Sequence, residues 1–238
     1  MPPLPTLSLP WSGARPLPDA FFDRDAQQVA RTLLGKVLRH RVDDLWLSAR
    51  IIETEAYYLN EKGSHSSLGA TPSRRAMFMP PGHLYLYYAR GGDSLNISVQ
   101  GAGNAVLIKA GRLWQDSISG PDSVQRMQRN NPDARGQPRP PERLCSGQTL
   151  LCKALGLKVA QWNARRFDPL RFFIDDLDEA PGPVLQTRRL GIPSGRDEHL
   201  AYRFVEAAHA DQCTRSPLRR GQLPGRNFFL LTPQDPTP

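Results

Sequence analysis

Runs of alternating or continuous apolar residues occupy most of the middle of the chain. Each run is short and is bounded by polar, glycine or proline residues, which is the pattern of β-strands. The predicted strands cover residues 36–42, 46–58, 83–89, 94–100, 105–110, 170–175 and 200–206.

Helix signals flank these strands. Apolar residues at helical spacing follow Asp23 and Asp25, either of which can cap a first helix, and Gly35 can end it. Pro121 can open a second helix that runs through Met127.

A third helix is predicted to begin after a Ser146 cap and to run through Leu155, with Gly156 closing it. The strands are grouped in the middle of the chain and do not alternate regularly with helices. This order predicts the α+β class, with one domain built on a curved, mostly antiparallel β-sheet flanked by helices.

The length and the chain ends set the expected domain limits. The chain has 238 residues, the size of one globular domain with a sizeable core. Because both ends are rich in proline, we expect flexible tails over residues 1–18 and 231–238 and a folded domain over 19–230. The basic stretch 130–143 is expected to be a loop, either mobile without a partner or simply an inserted linker.

Two glutamates lie two positions apart within one predicted strand. Residues 51 to 58 read Ile-Ile-Glu-Thr-Glu-Ala-Tyr-Tyr, so Glu53, Glu55 and Tyr57 are expected to share one face. Buried carboxylates are costly unless they are paired or used, and removal from water is one way to prepare a general base. One of the two is therefore a candidate general base. Alternatively, both face water on an edge strand.

The positive charge of the chain comes mainly from arginine. The formal net charge is +8 at pH 7, and 26 of the 31 cationic residues are arginine. Arginine binds phosphate bidentately, and a basic surface gains affinity for a nucleic-acid backbone by releasing counterions. This composition favours a phosphate-rich partner, although solubility or a GC-rich codon bias explains it about as well.

The cysteines favour the cytoplasm. Cys145, Cys152 and Cys213 form no C-x-x-C pair, and an odd number without a secretory signal argues against a disulfide framework and a four-cysteine zinc site. No apolar run approaches 18 residues, so no membrane partner is expected. The histidines are too scattered for metal-ligand spacing, and we expect neither a metal nor a cofactor.

Eight motifs in order resemble one known family. They read Glu-Thr-Glu-Ala-Tyr at 53–57, His-Ser at 65–66, Arg-Ala-Met-Phe-Met at 75–79, Pro-Gly-His-Leu-Tyr-Leu-Tyr at 81–87, Leu-Asn-Ile-Ser at 95–98, Leu-Cys-Ser-Gly at 144–147, Leu-Cys-Lys-Ala-Leu at 151–155 and Arg-Leu-Gly-Ile at 189–192. Together they resemble the alkyladenine (3-methyladenine, or methylpurine) DNA glycosylases, a monofunctional base-excision family. The resemblance spans roughly residues 20–206, and motifs in this number and order are far more specific than any one alone.

The resemblance implies a pocket for a damaged base. A purine must leave the duplex before an enzyme can reach its glycosidic bond, so the pocket must stack on the flipped base and hydrogen-bond its edge. In the family, the residues at the positions of Tyr57, His65 and Tyr87 form this pocket. The residue at the position of Asn96 lies at its floor and excludes the exocyclic amine of guanine. Without the resemblance, Tyr87 is more typical of a core or cross-strand aromatic residue and His65 of a loop histidine, and Asn96 is equally typical of a buried amide bonded to backbone.

The resemblance also implies the catalytic groups. Glu55 is the expected general base, which activates a water for attack on the anomeric carbon, and Glu53 is then structural. Lys109 corresponds to a basic residue that holds this water. Better-known members carry arginine there, so the single amino group of lysine replaces a planar guanidinium that can make two hydrogen bonds. A backbone carbonyl near Ile192 is expected to give the third contact to the water.

The segment between Tyr87 and Asn96 departs from the family. The family places a tyrosine there that enters the gap left by the flipped nucleotide, whereas this chain reads Tyr-Ala-Arg-Gly-Gly-Asp-Ser over 88–94 and is one residue shorter. We favour Arg90 as the intercalating residue, with its guanidinium stacked in the gap, and Tyr88 is the alternative.

The expected function is that of a monofunctional DNA glycosylase of base excision repair. It is expected to remove 3-methyladenine, with hypoxanthine and ethenoadenine as further candidates. We expect a monomer that acts on double-stranded DNA containing damaged purines and is nucleoid-associated when bound. Two alternatives stay open. One is a damage-binding module without catalysis, against which Glu55 argues, and the other is a lyase that forms a Schiff base through Lys109.

Overall fold

The computed structural model describes residues 9–89, 91–179 and 182–232. Within these ranges the α-helices are α1 (Ala26–Thr32), α2 (Pro121–Asn130), α3 (Gln148–Leu155) and α4 (Val159–Trp162). The strands are β1 (Val37–Val42), β2 (Leu45–Tyr57), β3 (Leu84–Ala89), β4 (Gly92–Ser98), β5 (Ala105–Leu113), β6 (Phe172–Asp175), β7 (Val184–Thr187), β8 (Arg203–Glu206) and β9 (Phe228–Leu231).

The strands form one antiparallel sheet around the long strand β2. The sheet runs in the order β3-β4-β5-β2-β8-β7-β9, and β1 pairs with both β2 and β6. Residues 45–50 of β2 pair with β1, while residues 53–55 pair with β8. This arrangement confirms the predicted α+β class, with a mostly antiparallel sheet flanked by helices in a single domain.

The helix limits follow the capping residues, with one correction. Asp25 caps α1, because its carboxylate accepts the backbone N–H groups of Gln27 and Gln28. Gly156 ends α3 in the left-handed conformation, as predicted. The predicted Ser146 cap of α3 is wrong. The Ser146 hydroxyl donates to the carbonyl of Glu142, and Gly147 occupies the cap position.

Two strands, β7 and β9, were not predicted from the sequence, and both lie in the C-terminal third of the chain. Strand β7 has only four residues, and β9 pairs along it from Thr187–Phe228 to Val184–Leu231. Leu231, which the prediction placed in a flexible tail, is therefore bonded into the sheet edge.

The N-terminal segment is attached to the sheet before residue 19, although the prediction placed it in a flexible tail. Leu17 donates its backbone N–H to Ile174 (2.9 Å), and Arg15 donates its own to the carboxylate of Asp175 (2.9 Å). The Trp11 ring packs against Trp46. The tail boundaries at 18 and 231 stay predictions.

The main hydrophobic core packs α1 against one face of the sheet. Val29 of α1 and Leu33, which caps its C-terminal end, pack with Ile51 and Ile108 of the sheet, and all four are fully buried. Thr54 donates its hydroxyl to the Ala30 carbonyl of α1 (2.8 Å), so the side chains on either side of it point to the opposite face. Among the described residues, no helix is long and apolar enough to cross a membrane.

The basic loop after α2 is held by its own hydrogen bonds. The Asp133 carboxylate accepts the backbone N–H groups of Arg135 and Gln137 (2.8 Å each), and Arg139 donates to the Pro132 carbonyl (2.9 Å). Arg135 and Arg143 are exposed.

Candidate active site

A cavity of about 510 Å³ opens on the sheet face away from α1. Its size is in the range of small-molecule sites. Its wall contains every predicted pocket residue and two of the three predicted catalytic residues, and is formed by Tyr57, Gly63, Ser64, His65, Leu68, Met77, Tyr85, Tyr87, Tyr88, Asn96, Leu107, Lys109, Gln148, Leu190, Gly191, Ile192, Pro193 and Arg196.

Glu55 lies directly behind this wall and is fully buried. Its Oε2 accepts the hydroxyl of Tyr57 (2.7 Å) and lies 3.3 Å from Nζ of Lys109, while its Oε1 accepts the backbone N–H of Leu190 (3.0 Å). All three donors line the cavity. A carboxylate has about four acceptor positions, so three donors fix its orientation and leave one lone pair for a further partner.

Two irregularities in the β2–β5 pairing place Lys109 beside Glu55. The register runs Ile51–Gly111, Glu53–Ala110 and Thr54–Ile108, so one residue on each strand, Ile52 on β2 and Lys109 on β5, has no partner. An unpaired residue in a strand bends it and changes the direction of its side chain. Here the result is an ammonium that points at the carboxylate from the neighbouring strand.

Glu53 shares the face of Glu55 but faces different partners. Its Oε1 accepts Nε of Arg203 (2.6 Å), and its Oε2 accepts the backbone N–H of Thr214 (2.8 Å). Glu53 is fully buried and does not line the cavity. Its position fits the structural role that the sequence analysis gave it.

A buried arginine lies against the ring of Tyr57. The guanidinium of Arg189 is 4.5 Å from the ring centroid, pairs with Glu61 (2.5 Å) and donates to the Ala56 carbonyl (2.9 Å). Burial, reinforced by the carboxylate of Glu55, raises the pKa of Tyr57 well above its usual range. The hydroxyl therefore stays protonated and can keep donating to Glu55.

His65, Tyr85 and Tyr87 form an aromatic wall. The Tyr87 ring stacks on Tyr85 (5.6 Å) and meets His65 edge to face (4.7 Å), and Nδ1 of His65 lies 3.1 Å from the Tyr85 hydroxyl. Burial, and to a lesser degree the charge of Arg74, lowers the pKa of His65. Burial raises the pKa of Tyr85 to about 12. At neutral pH His65 and Tyr85 are therefore uncharged.

Two amide side chains complete the cavity. Asn96 is buried, and its Nδ2 donates to the Tyr85 carbonyl (3.1 Å), which fits a structural amide while still leaving one N–H and the amide oxygen for other partners. Gln148, at the start of α3, donates to the hydroxyls of Tyr87 (3.2 Å) and Ser94 (2.9 Å). The first side chain bonds the Tyr85 backbone, and the second holds Tyr87 in place.

Ile192 lies on the loop that closes one side of the cavity. Gly63 permits this approach, because a Cβ at that position would lie 2.9 Å from the Arg196 carbonyl and 3.2 Å from the Ile192 side chain. The loop also donates the Leu190 N–H to Glu55. The predicted role of the Ile192 carbonyl as a water ligand stays a prediction.

The two candidate intercalating residues lie at the β3–β4 hairpin. Tyr88 pairs with Asp93 near the end of β3, lines the cavity and is 69% exposed. Arg90, which the sequence favoured, lies outside the described residues.

Four residues that shape the site were not predicted: Tyr85, Gln148 and Leu190 line the cavity, and Arg189 packs against the ring of Tyr57. Tyr85 was detectable, since it alternates with Tyr87 on one strand and therefore shares its face. Arg189 and Leu190 lay in a recognised motif that gave them no role. Gln148 carried no local signal, because its contact with Tyr87 spans 61 residues.

The sequence also matches a family of known proteins. A family model described as "Methylpurine-DNA glycosylase" matches residues 20–210. This range contains every residue discussed in the cavity.

Similar curated proteins come from bacteria and an archaeon. A relative from Pseudomonas aeruginosa (strain UCBPP-PA14) is 66% identical over 232 residues, covering 98% of this chain and 97% of the relative. One from Pseudomonas fluorescens (strain Pf0-1) is 68% identical over 215 residues, covering 90% and 93%. One from Methanoculleus marisnigri is 34% identical over 192 residues, covering 78% and 93%. All three carry the name "Putative 3-methyladenine DNA glycosylase".

Proposed function

Because the chain belongs to the methylpurine-DNA glycosylase family and is a DNA glycosylase, we propose that it excises alkylated purines with a water activated by Glu55. The single observation that carries this proposal is the setting of Glu55. A fully buried carboxylate is held by three donors, all of which line an aromatic cavity large enough for a base. The names of the relatives support 3-methyladenine as the main substrate.

Base selection in this proposal rests on stacking and on one exclusion. The flipped base enters between Tyr57 and the wall of His65 and Tyr87, where an electron-poor alkylated purine stacks more strongly than a neutral one. Asn96 at the cavity wall excludes the exocyclic amine of guanine, which protects the normal base.

Hydrolysis in this proposal uses the remaining lone pair of Glu55. A water held between Glu55 and Lys109, with the Ile192 carbonyl as third contact, attacks the anomeric carbon as the bond to the base opens. The water proton passes to Glu55, and the bonding electron pair leaves with the base. A methylated purine cation leaves as a neutral base, so it needs no further proton.

Neutral damaged bases are harder to excise than cationic ones at the same site. Hypoxanthine and ethenoadenine depart less readily, so the water and the extruded nucleotide must be held more firmly. Lys109 supplies a point charge where a planar fork would fix two contacts. We therefore propose that cationic lesions are excised much faster than hypoxanthine or ethenoadenine.

A direct experiment compares free-base release from three duplexes that contain 3-methyladenine, hypoxanthine or ethenoadenine in one sequence. We expect free base from all three duplexes or from the 3-methyladenine duplex alone, and the 3-methyladenine duplex should react fastest. Lesion-specific binding without any released base would favour the damage-binding module. The lyase alternative is disfavoured because Nζ of Lys109 is paired with the carboxylate of Glu55 (3.3 Å).

The neutral state of His65 gives a prediction for pH. A protonated His65 repels a cationic base, so excision of 3-methyladenine should fall on the acid side. Because burial and the charge of Arg74 lower the pKa of His65, this loss should lie below the ordinary value of 6.5. Arg74→Gln removes one of the two causes and should shift the acid limb of the pH–rate profile upward.

The matched control for this pH shift is Arg75→Gln, which removes the same charge from the exposed neighbouring residue. It should leave the acid limb where the wild type has it. Equal shifts in both variants, or a wild-type limb above pH 6.5, would argue against His65 as the titrating group.

The intercalating residue is open to a direct comparison. We propose Tyr88, since this residue is 69% exposed beside the cavity and an aromatic ring can replace the lost stacking of the flipped base. Tyr88→Ala should lower excision from duplex by roughly 10- to 100-fold, a stacking contribution of about 1–3 kcal/mol, and lower excision from single strands much less. Arg90→Ala is the companion variant, and a larger duplex-specific loss there would return the role to Arg90.

A further inference from the structure

A second cavity lies beside the first and is lined by arginine. It has a volume of about 250 Å³, and its lining includes Arg188, Arg203, Arg215, Arg219, Ser216 and Asn227. Arg189 also contributes, and none of the residues that line the cavity is acidic. We call this cavity the arginine cleft.

The charge of the arginine cleft is only partly neutralised. Arg189 and Arg203 are buried and paired with Glu61 and Glu53. In contrast, Arg188, Arg215 and Arg219 are exposed, and their side chains form no hydrogen bond or ion pair with any residue that the structure describes. Three guanidinium groups with unused donors therefore surround one concave site.

Most of the cleft is built by a segment beyond the family match, which ends at residue 210. Residues 211–232, here the C-terminal segment, contribute Arg215, Ser216, Arg219 and Asn227 to the lining. The segment contains four arginines and one aspartate, so it adds a charge of +3.

Specific contacts hold the C-terminal segment in place. Its strand β9 pairs with β7, and Thr187 donates its hydroxyl to the Asn227 carbonyl (2.8 Å). Arg203 donates to the Arg215 carbonyl (2.8 Å), and Thr214 donates its backbone N–H to Glu53 (2.8 Å). The backbone that carries the cleft arginines is thus tied to the buried Glu53.

The arginine cleft adjoins the active-site cavity. Leu190 lines both, and its backbone N–H is the donor to Glu55. The two glutamates of Glu-Thr-Glu therefore serve two neighbouring cavities. Glu55 lies behind the base cavity, and Glu53 anchors the wall of the cleft.

We propose that the arginine cleft binds a backbone phosphate of the DNA strand beside the flipped nucleotide, so that the C-terminal segment positions the substrate. The proposal rests on the proposed function, because it needs DNA over the first cavity. Guanidinium groups bind phosphate oxygens bidentately, and a concave site with three uncompensated positive charges and no carboxylate in its lining favours a phosphodiester over a neutral group.

The first test compares two double variants with equal charge. Arg215→Gln with Arg219→Gln removes two cleft side chains, whereas Arg220→Gln with Arg226→Gln removes two exposed arginines of the same segment that do not line the cleft. The cleft variant should raise the Kd for a lesion duplex by about 10- to 100-fold. It should also lower the log–log salt slope by about 0.9, the contribution of the one phosphate contact that is lost. The control pair should change both quantities much less, and equal effects would overturn the cleft as a specific site.

The second test locates the phosphate. Single neutral methylphosphonates are placed at successive positions on both strands around the lesion, and Kd is measured for each duplex. One or two positions near the lesion should weaken binding of the wild type but not of the Arg215→Gln, Arg219→Gln variant. The same positional losses in both proteins would place the contact elsewhere. Inorganic phosphate that stabilises only the wild type against heat, together with equal DNA affinities of wild type and variant, would show a free-anion site and overturn the DNA role.

Base release by the wild type is measured on the same duplexes. If the wild type releases base and the two tests above fail, only the arginine cleft is wrong. If the wild type releases no base, the proposed function fails whatever the cleft variants do.

Discussion

Glu55→Gln is expected to reduce the single-turnover rate of base release by roughly 10²- to 10⁴-fold, the usual contribution of a general base. Glutamine keeps the shape of the side chain and can still accept from the Leu190 N–H, but it cannot take the proton of the attacking water. The lesion duplex should bind the variant almost as tightly as the wild type, because Glu55 lies behind the cavity wall and leaves the stacking surfaces unchanged.

The measurement is single-turnover release from a 3-methyladenine duplex with protein in excess, together with Kd for the same duplex. Circular dichroism melts check that the variant is folded. A rate within a few-fold of the wild type would remove Glu55 from the role of general base. A parallel loss of affinity would mean that the carboxylate acts mainly on binding.

Glu53→Gln is expected to act on stability instead. Glu53 and Arg203 are both buried, and removing one charge of such a pair leaves the other uncompensated, at a cost of about 3–5 kcal/mol. For a chain of this length that corresponds to a fall in Tm of roughly 6 to 20 °C. Excision by the folded variant should fall much less than in Glu55→Gln.

Urea unfolding at neutral pH tests this expectation, and the double variant Glu53→Met, Arg203→Met is its control. With both charges removed, no uncompensated charge is left in the buried site, so the double variant should be more stable than Glu53→Gln alone. A stable Glu53→Gln protein with a catalytic loss as large as that of Glu55→Gln would reverse the roles of the two glutamates.

The two glutamates also mark the limit of what the sequence could predict. Strand alternation placed Glu53, Glu55 and Tyr57 on one face, and the Tyr57–Glu55 bond agrees with that face. Alternation could not distinguish the roles of the two glutamates, because these roles depend on partners that are distant in the sequence. Glu53 pairs with Arg203, 150 residues away, and Glu55 accepts from Leu190, 135 residues away.

Local signals predicted local structure well. The Asp25 cap, the Gly156 helix end and the five strands of the central region follow from capping chemistry and period-2 patterns. Strands β7 and β9 were not predicted from local patterns, and their pairing joins segments that are about 40 residues apart in the sequence.

The direction of the Lys109 side chain could not be predicted from local sequence patterns. The resemblance named the residue, but its direction depends on two unpaired residues that shift the β2–β5 register. The arginine cleft had no sequence signal apart from total charge, because its walls come from β7, β8 and a segment beyond the matched family range.

Hydrolysis of the bond between an alkylated purine and deoxyribose can be observed directly. The wild type is incubated with a 3-methyladenine duplex and the products are identified by mass spectrometry, with borohydride added in parallel to trap any Schiff base. We expect free 3-methyladenine, an intact strand with one abasic site and no covalent protein–DNA adduct. A trapped adduct that disappears in Lys109→Gln, or an unchanged duplex, would contradict this expectation.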